Sequence, residues 1–124
     1  MIIDIHTHKE DSREALISVS PDKFLPKDGL FYSVGIHPWD SAAENISELF
    51  TLLEKALSHP QVLAIGETGL DRLQGAEMSI QEEIFARHCQ LSESFKKPMV
   101  LHAVRTFDRI LYYKKQLRPS MPWI

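Results

Sequence analysis

Short apolar runs bounded by turn residues constrain the fold of this chain more than any other feature. The runs are Ile2-Ile3 with Ile5, followed by residues 15–19, 30–36, 62–65 and 98–101. Runs that are short and continuous, rather than alternating, are typical of strands buried on both faces of a parallel sheet. The chain is therefore expected to contain about five parallel strands.

Helical patterns separate the later runs. Residues 45–48 and 79–82 both resemble capping boxes, and apolar residues recur behind each of them at helical spacing. Thr106 is expected to cap a third helix, whose inward-facing residues would be Phe107, Ile110, Leu111 and Leu117. The first two connections are too short for long helices. Strands that alternate with helices in this way predict an α/β fold.

Composition limits the location and the partners of the protein. The 124 residues suggest one domain, and the formal net charge of −3 gives no general signature of nucleic-acid binding. The single cysteine, Cys89, excludes an internal disulfide and favours a reducing compartment. Because the sequence has neither a signal-peptide pattern nor an apolar run of about 18 residues, we expect a cytoplasmic protein without membrane partners. Composition leaves the oligomeric state open.

The last four residues, Met121-Pro122-Trp123-Ile124, look like the opening of another buried strand. A chain seldom stops where a strand begins, because the sheet is then left with a ragged edge. We therefore expect C-terminal truncation, with residues 1–124 forming the N-terminal part of a single domain.

Two histidines, His6 and His8, follow the first apolar run with one residue between them. Residues two apart in an extended backbone point to the same side, so both imidazoles can be directed at one point. Zinc and manganese accept imidazole together with carboxylate ligands. Paired histidines also occur on exposed strands without a ligand, so this pair alone leaves both interpretations open.

Polar residues at the ends of later runs strengthen the metal hypothesis. His37 follows the third run, Glu67 the fourth and His102 the fifth. Convergence of such residues from several strands is how α/β barrels build active sites. Burying a carboxylate with several imidazoles is costly unless they coordinate something. Each residue alone has a purely structural interpretation, but together with His6 and His8 they favour a metal site.

Four motifs carry a resemblance to the TatD-type metal-dependent hydrolases, relatives of the amidohydrolases. They are DIHTH at 4–8, GIHPW at 35–39, GETGLD at 66–71 and KPMVLH at 97–102, in the order that the family has them. The resemblance implies a TIM-like (β/α) barrel with helices outside, of which this chain would form five strands and the start of a sixth. It also implies a divalent-metal site, usually with two ions, which would be zinc, magnesium or manganese.

Carried over motif by motif, the resemblance assigns His6 and His8 to one metal ion. Glu67 would bridge the two ions, and His102 would bind the second. Glu67 is on this basis also the expected catalytic residue. Asp71, at the end of the GETGLD motif, is expected to support a ligand or the local structure.

The resemblance also implies two substrate contacts, His37 and Arg105. Arg105 follows His102 by three residues, whereas the family arginine usually follows by two. A further metal-binding histidine and a final aspartate, which follow later strands in the family, do not occur in this chain. About half of the family's length is therefore expected to lie outside the chain.

Most members of the family are deoxyribonucleases or uncharacterised phosphodiesterases, which implies hydrolysis of phosphodiester bonds in DNA by metal-activated water. Two divalent ions supply hydroxide near neutral pH and stabilise charge on phosphate, and an arginine matches phosphate oxygens. Two alternatives remain open. One is an amidohydrolase-like enzyme that acts on a small amide or ester. The other is an inactive truncated fragment that binds metal weakly or associates with a partner.

Three further residues bear on the site or on the core beside it. His88 and Cys89 fall within the amphipathic stretch 79–95 and are expected to pack in the core. Trp39, directly after His37-Pro38, is expected either to line the substrate mouth or to pack beside it. The sequence favours neither interpretation of Trp39.

Overall fold

The computed structural model describes residues 4–8 and 15–124, and for residues 4–6 only the backbone. The strands are β1 (Asp4–Thr7), β2 (Ala15–Val19), β3 (Phe31–Val34), β4 (Val62–Asp71) and β5 (Met99–Val104). The helices are α1 (Ile46–Leu57), α2 (Met78–Phe95) and α3 (Phe107–Leu117), with 3₁₀ helices at Pro21–Lys23 and Pro38–Asp40. None of the helices in the described ranges is long and apolar enough to cross a membrane.

The five strands form one sheet in the order β1-β2-β3-β4-β5, and every neighbouring pair is parallel. The order across the sheet repeats the order along the chain, as in a (β/α) barrel, whereas a doubly wound sheet reverses its order at a switch point. Trp123 forms a further parallel bridge to Met99, on the side of β5 away from β4. The predicted partial barrel of five strands with the start of a sixth is confirmed.

The helices cover one face of this sheet. A large buried apolar cluster contains residues from all three α-helices and from the strands. A smaller cluster, made by strand residues alone, contains Leu16, Ala64 and Val100. Leu16 and its neighbour Ile17 belong to different clusters, because successive side chains of a strand point to opposite faces. The helices therefore lie outside the curved sheet, as predicted.

Strand bounds agree with the sequence for β2 but not for the later strands. The predicted strand 15–19 is confirmed, and β3 is shorter than the predicted 30–36. The predicted strands 62–65 and 98–101 both end too early, since β4 continues to Asp71 and β5 to Val104. Backbone pairing continues through the glycine-containing segment 66–71, where Gly69 pairs with His102. Loss of apolar character therefore did not mark the end of these strands.

The two predicted capping boxes do not form. Asn45 precedes α1 but makes no side-chain capping hydrogen bond. Helix α2 begins at Met78, so Ser79 lies inside the helix and donates its hydroxyl to the Glu77 carboxylate. A competing local side-chain bond thus replaces the predicted cap.

The prediction for α3 is correct in its position and wrong in its buried face. Thr106 precedes the helix as expected, but its hydroxyl donates to the carbonyl oxygen of Leu70 and does not cap the helix. Ile110 is buried, whereas Phe107, Leu111 and Leu117 are exposed. Contact with the rest of the described chain is confined to a narrow strip, so the apolar stripe read from the sequence is wider than the buried face.

Candidate metal centre

Glu67 lies on a β-bulge in the middle of β4. Gly66 pairs with Val100 and Thr68 pairs with Leu101, so β4 uses one residue more than β5 over this step. Glu67 is that extra residue. Bulges bend a strand and redirect a side chain, and they are frequent beside active sites. The glycine read as the end of the strand is therefore the start of a local irregularity that presents Glu67 at the site.

Two glycines allow the strands to approach closely beside this bulge. A Cβ atom on Gly35 would lie 2.6 Å from the Cα of Gly66. A Cβ atom on Gly66, whose φ is +141°, would lie 2.4 Å from the carbonyl oxygen of Val100. Any larger residue would clash with backbone atoms at both positions. The close approach brings the GIHPW, GETGLD and KPMVLH motifs side by side.

Three side chains converge where these motifs meet: His37, Glu67 and His102. One potential ligand atom from each lies within 4.8 Å of the other two. Glu67 Oε1 is 2.8 Å from His37 Nε2 and 3.8 Å from His102 Nδ1. The side chains are between 14% and 20% exposed, so they are largely desolvated and still reachable by a small ion.

Hydrogen bonding determines which ring nitrogen of His37 carries the proton. Its Nδ1 accepts the backbone N–H of Trp39 at 3.1 Å. A neutral imidazole has one acceptor and one donor nitrogen, so Nε2 carries the hydrogen. His37 Nε2–H therefore donates to Glu67 Oε1 and orients that carboxylate.

Asp71 holds His102 from the side opposite Glu67. Its Oδ2 lies 2.9 Å from His102 Nε2 and accepts the indole N–H of Trp39 at 2.8 Å, while Oδ1 accepts the backbone N–H of Leu73. Burial would raise the pKa of Asp71, but hydrogen bonds from Trp39, His102 and Leu73 outweigh it and lower the pKa to about 2. An ionised carboxylate only accepts, so His102 Nε2 carries a proton and Nδ1 faces Glu67.

The donor set suits a divalent cation. His102 presents its Nδ1 on the same side as the Glu67 carboxylate, and the Asp71 carboxylate supports its other nitrogen. This arrangement of carboxylate, imidazole and open lone pair is the usual one in protein metal sites. Glu67 and His102 thus offer one oxygen and one nitrogen ligand of the kinds that zinc and manganese accept.

The remaining sequence-predicted residues occupy different positions. His8 lines a hollow of about 170 Å³ together with His37 and Glu67, but it is not part of the group within 4.8 Å. His6 belongs to β1, and its side chain lies outside the described residues. Arg105 is exposed directly after β5, with a φ of +54°.

Sequence reasoning missed the connection from Trp39 through Asp71 to His102. Trp39 is 51% exposed, and its ring centroid lies 4.9 Å from that of His37 and 5.8 Å from that of His102. It therefore both borders the site and packs against its histidines. The available signal was position: Trp39 and Asp71 end the same two motifs that supply His37 and Glu67.

The predicted packing of His88 and Cys89 is confirmed, since both are buried. Burial lowers the pKa of His88 to about 4 and raises the pKa of the Cys89 thiol to about 12. His88 has a second consequence for the site. Its Nε2 accepts the backbone N–H of Ile36 at 3.0 Å, and its Nδ1 lies 2.9 Å from the carbonyl oxygen of Ile84. Helix α2 thereby fixes the residue that precedes His37.

The fold and the site together define an α/β barrel segment with candidate metal ligands in the carboxyl-terminal halves of its strands. A family model described as "TatD related DNase" matches residues 22–122. The chain belongs to this family, and the predicted resemblance is confirmed. The matched residues contain the GIHPW, GETGLD and KPMVLH motifs, whereas the DIHTH motif at 4–8 precedes them.

Curated relatives agree with this assignment. The chain is 32% identical over 100 residues to the human "3'-5' RNA nuclease TATDN2", covering 79% of this chain and 13% of that protein. It is 36% identical over 80 residues to a Mycobacterium tuberculosis protein named "Uncharacterized metal-dependent hydrolase TatD", covering 59% of this chain and 30% of that protein. The chain thus spans less than a third of the length of either relative.

A solved structure supports the fold. The crystal structure of YjjV, a TatD homologue from Escherichia coli, matches with a TM-score of 0.69 at 23% identity. The match covers 82% of this chain and 43% of that one. The partial barrel therefore corresponds to part of a larger TatD fold.

Proposed function

We propose that this chain carries part of the active site of a metal-dependent phosphodiesterase that cleaves DNA. The observation that carries the proposal is the facing pair of Glu67 Oε1 and His102 Nδ1, 3.8 Å apart, with the ionised Asp71 behind the imidazole. A carboxylate oxygen and an imidazole nitrogen that face each other in this way, with a second carboxylate behind the imidazole, are the ligand types that a divalent cation binds in proteins. The family description and the name of the human relative both support a nucleic-acid substrate.

In the proposed centre, four side chains would hold two divalent ions: His6, His8, Glu67 and His102. The ions would be zinc, magnesium or manganese. When bound, such ions acidify water to give hydroxide near neutral pH and neutralise the charge that develops on phosphate. Residues 1–124 would form the N-terminal part of a single barrel domain, and the cytoplasmic location inferred from composition remains a prediction.

The chain's own residues would orient both the ligands and the substrate. His37 donates to Glu67 Oε1 and so directs the carboxylate, and the same imidazole borders the hollow beside it. Asp71 keeps His102 in the tautomer with its proton on Nε2, in which Nδ1 can bind a metal ion. Arg105, after β5 and exposed, is proposed to contact a substrate phosphate oxygen through its guanidinium group. We propose that Trp39 lines the entrance with its exposed half.

The proposal is tested with the purified chain, Mn²⁺ and four substrates: single-stranded DNA, the same sequence as RNA, a p-nitrophenyl ester and a small anilide. We expect Mn²⁺-dependent cleavage of DNA that a chelator stops. Glu67→Gln should lower the rate at least about 100-fold, since it removes a metal-binding charge. Glu54→Gln, which changes an exposed carboxylate on α1, is the matched control and should leave the rate unchanged.

Each other outcome has a defined meaning. Cleavage of the ester or anilide in place of DNA would favour the amidohydrolase-like alternative, and faster cleavage of RNA would correct the substrate. Binding of Mn²⁺ without turnover of any substrate would favour the inactive fragment. Full activity of Glu67→Gln would refute the assignment of the centre.

A further inference from the structure

Gln81, on the first turn of α2, is a buried side chain with four hydrogen bonds to backbone atoms near the centre. It is 1% exposed, and its carboxamide contacts the segment that follows β4. We infer that Gln81 is a positioning residue that fixes Asp71, and through Asp71 the tautomer of His102. The inference deepens the proposed metal centre and rests on it.

The carboxamide of Gln81 forms a closed pair of hydrogen bonds with the backbone of Asp71. Gln81 Oε1 accepts the Asp71 N–H at 2.8 Å, and Gln81 Nε2 donates to the Asp71 carbonyl oxygen at 3.0 Å. The same Nε2 also lies 3.1 Å from the carbonyl oxygen of Gln74 and 2.7 Å from that of Ala76. One side chain therefore holds both ends of the 71–76 segment against α2.

Fixing the Asp71 backbone determines where its carboxylate points. Oδ1 is occupied by the backbone N–H of Leu73, which leaves Oδ2 to accept from Trp39 and from His102. The carboxylate can reach both partners only while its own backbone stays in place. Gln81 thus acts on His102 indirectly, by holding Asp71 in place.

An apolar residue could not replace Gln81 at this place without consequence. It would leave the buried N–H and carbonyl oxygen of Asp71 without these partners, and buried backbone groups that lose their hydrogen bonds destabilise the local structure. The 71–76 segment is also packed tightly, because a Cβ on Gly75 would lie 2.2 Å from the Pro38 carbonyl oxygen and 3.0 Å from Gln81 Nε2. The segment has little room to find other partners.

The test uses the metal-free chain with ¹⁵N-labelled histidine and follows the tautomer of each imidazole by NMR. In the wild type, His102 should be a single tautomer with its proton on Nε2. In Gln81→Met, which keeps the length of the side chain and removes its polar atoms, both tautomers should appear. Zn²⁺ binding should also weaken about tenfold, the usual effect of losing support behind a ligand imidazole.

Gln61→Met is the matched control. Gln61 Nε2 also donates to two backbone carbonyl oxygens, those of Lys27 and Leu30, but at the opposite end of the sheet. This variant should leave the His102 signals and the Zn²⁺ affinity unchanged, so a general loss of stability would not imitate the expected result.

A single Nε2–H tautomer of His102 in Gln81→Met would overturn the inference. If that variant does not fold, Gln81→Glu serves instead, because it keeps an acceptor for the Asp71 N–H and loses the amide donors. An unchanged His102 in Gln81→Glu would equally overturn it. Failure of the wild type to bind Zn²⁺ would refute the proposed centre, while the tautomer measurement would still decide the role of Gln81.

Discussion

The two ends of the sheet differ in how their polar side chains are used. We call the amino-terminal side of the strands the floor and their carboxyl-terminal side the mouth. On the floor, Lys97 Nζ donates to three backbone carbonyl oxygens, those of Leu57, His59 and Val62. At the mouth, His37 and His102 are directed at the Glu67 carboxylate. Polar side chains of the floor therefore satisfy the backbone, whereas those of the mouth face one another across a hollow.

The difference separates stability from chemistry within one sheet. Burial lowers the pKa of Lys97, yet its ammonium group remains in place because the end of α1 presents carbonyl oxygens to it. At the mouth, Gln81 and His88 also form hydrogen bonds to backbone atoms. These bonds orient the residues of the site, which are Asp71, His37 and His102. In barrels of this type the floor supports folding and the mouth carries activity.

The largest expected effect is a loss of metal binding at the mouth with little change in the stability of the fold. Glu67→Gln should weaken Mn²⁺ binding at least about 100-fold, because the carboxylate proposed to bind the metal becomes a neutral amide. The Gln oxygen can still accept from His37, so the free energy of unfolding in urea should remain close to that of the wild type. Calorimetric titration with Mn²⁺ measures the first effect, and urea unfolding measures the second. Equal Mn²⁺ affinity in the variant would contradict the assignment.

Acid should loosen the mouth before the floor, through His88. Its pKa is about 4 in the folded protein against 6.5 when unfolded, so the unfolded state binds more protons between these values. Stability should therefore fall as the pH decreases from 6.5 towards 4, by up to about 3 kcal/mol. Asp71 does not contribute in this window, because its pKa lies lower, at about 2.

Urea unfolding at several pH values checks this prediction. His88→Gln removes the titrating group, so its stability should be lower at pH 7 and should depend less on pH. The protection factor for hydrogen exchange of the Ile36 N–H, which His88 accepts, should fall in acid before that of the Val62 N–H on the floor. The same pH dependence in wild type and variant would refute the role of His88.

A substitution on the floor should lower the stability of the fold and leave metal binding unchanged. Lys97→Met should lower the free energy of unfolding by about 2 kcal/mol, since charge-assisted hydrogen bonds to backbone carbonyl oxygens are lost. Its Mn²⁺ affinity should be unchanged. The neighbouring Lys96→Met is the matched control, because Lys96 is exposed. A loss of Mn²⁺ binding in Lys97→Met with wild-type unfolding would reverse the division between floor and mouth.

The smallest expected effect concerns substrate at the mouth. Arg105→Gln should weaken binding of single-stranded DNA about tenfold and should reduce the salt dependence of binding, since one phosphate contact is lost. Arg118→Gln is a close control, because both arginines are exposed and have positive φ, +54° and +45°. Arg118 follows α3, at the floor end, and its loss should have little effect. Equal losses in the two variants would point to general electrostatic attraction.

The sequence predicted the elements of the mouth better than their connections. His37, Glu67 and His102 were each identified because a polar residue followed an apolar run, and the structure brings the three together. The bulge at Glu67 was not predictable, because it depends on register with β5, more than thirty residues away. Strand β2 was predicted at its observed bounds, since its apolar run has a proline shortly after it.

Hydrogen bonds between side chains far apart in the sequence were not predictable either. The bond from Trp39 to Asp71 joins residues 32 apart, and no local pattern encodes it. The exposed face of α3 shows that a local pattern can also predict burial that does not occur. Helical spacing predicted Phe107 and Leu117 as inward-facing, but spacing describes only the stripe and not what packs against it. His6, the first half of the opening histidine pair, has its side chain outside the described residues.

The most direct test of the metal centre is a Mn²⁺ titration of the ¹⁵N-histidine-labelled chain, observed by NMR. Bound Mn²⁺ broadens signals of nearby nuclei, and the six histidines of the chain include His37 and His102 at the mouth, His88 in the core and His59 on the floor. We predict that His102 and His37 broaden at the lowest Mn²⁺ concentrations, while His59, beside Lys97 on the floor, keeps its linewidth. Uniform broadening of all signals, or broadening of His59 before His102, would contradict a metal centre at the mouth.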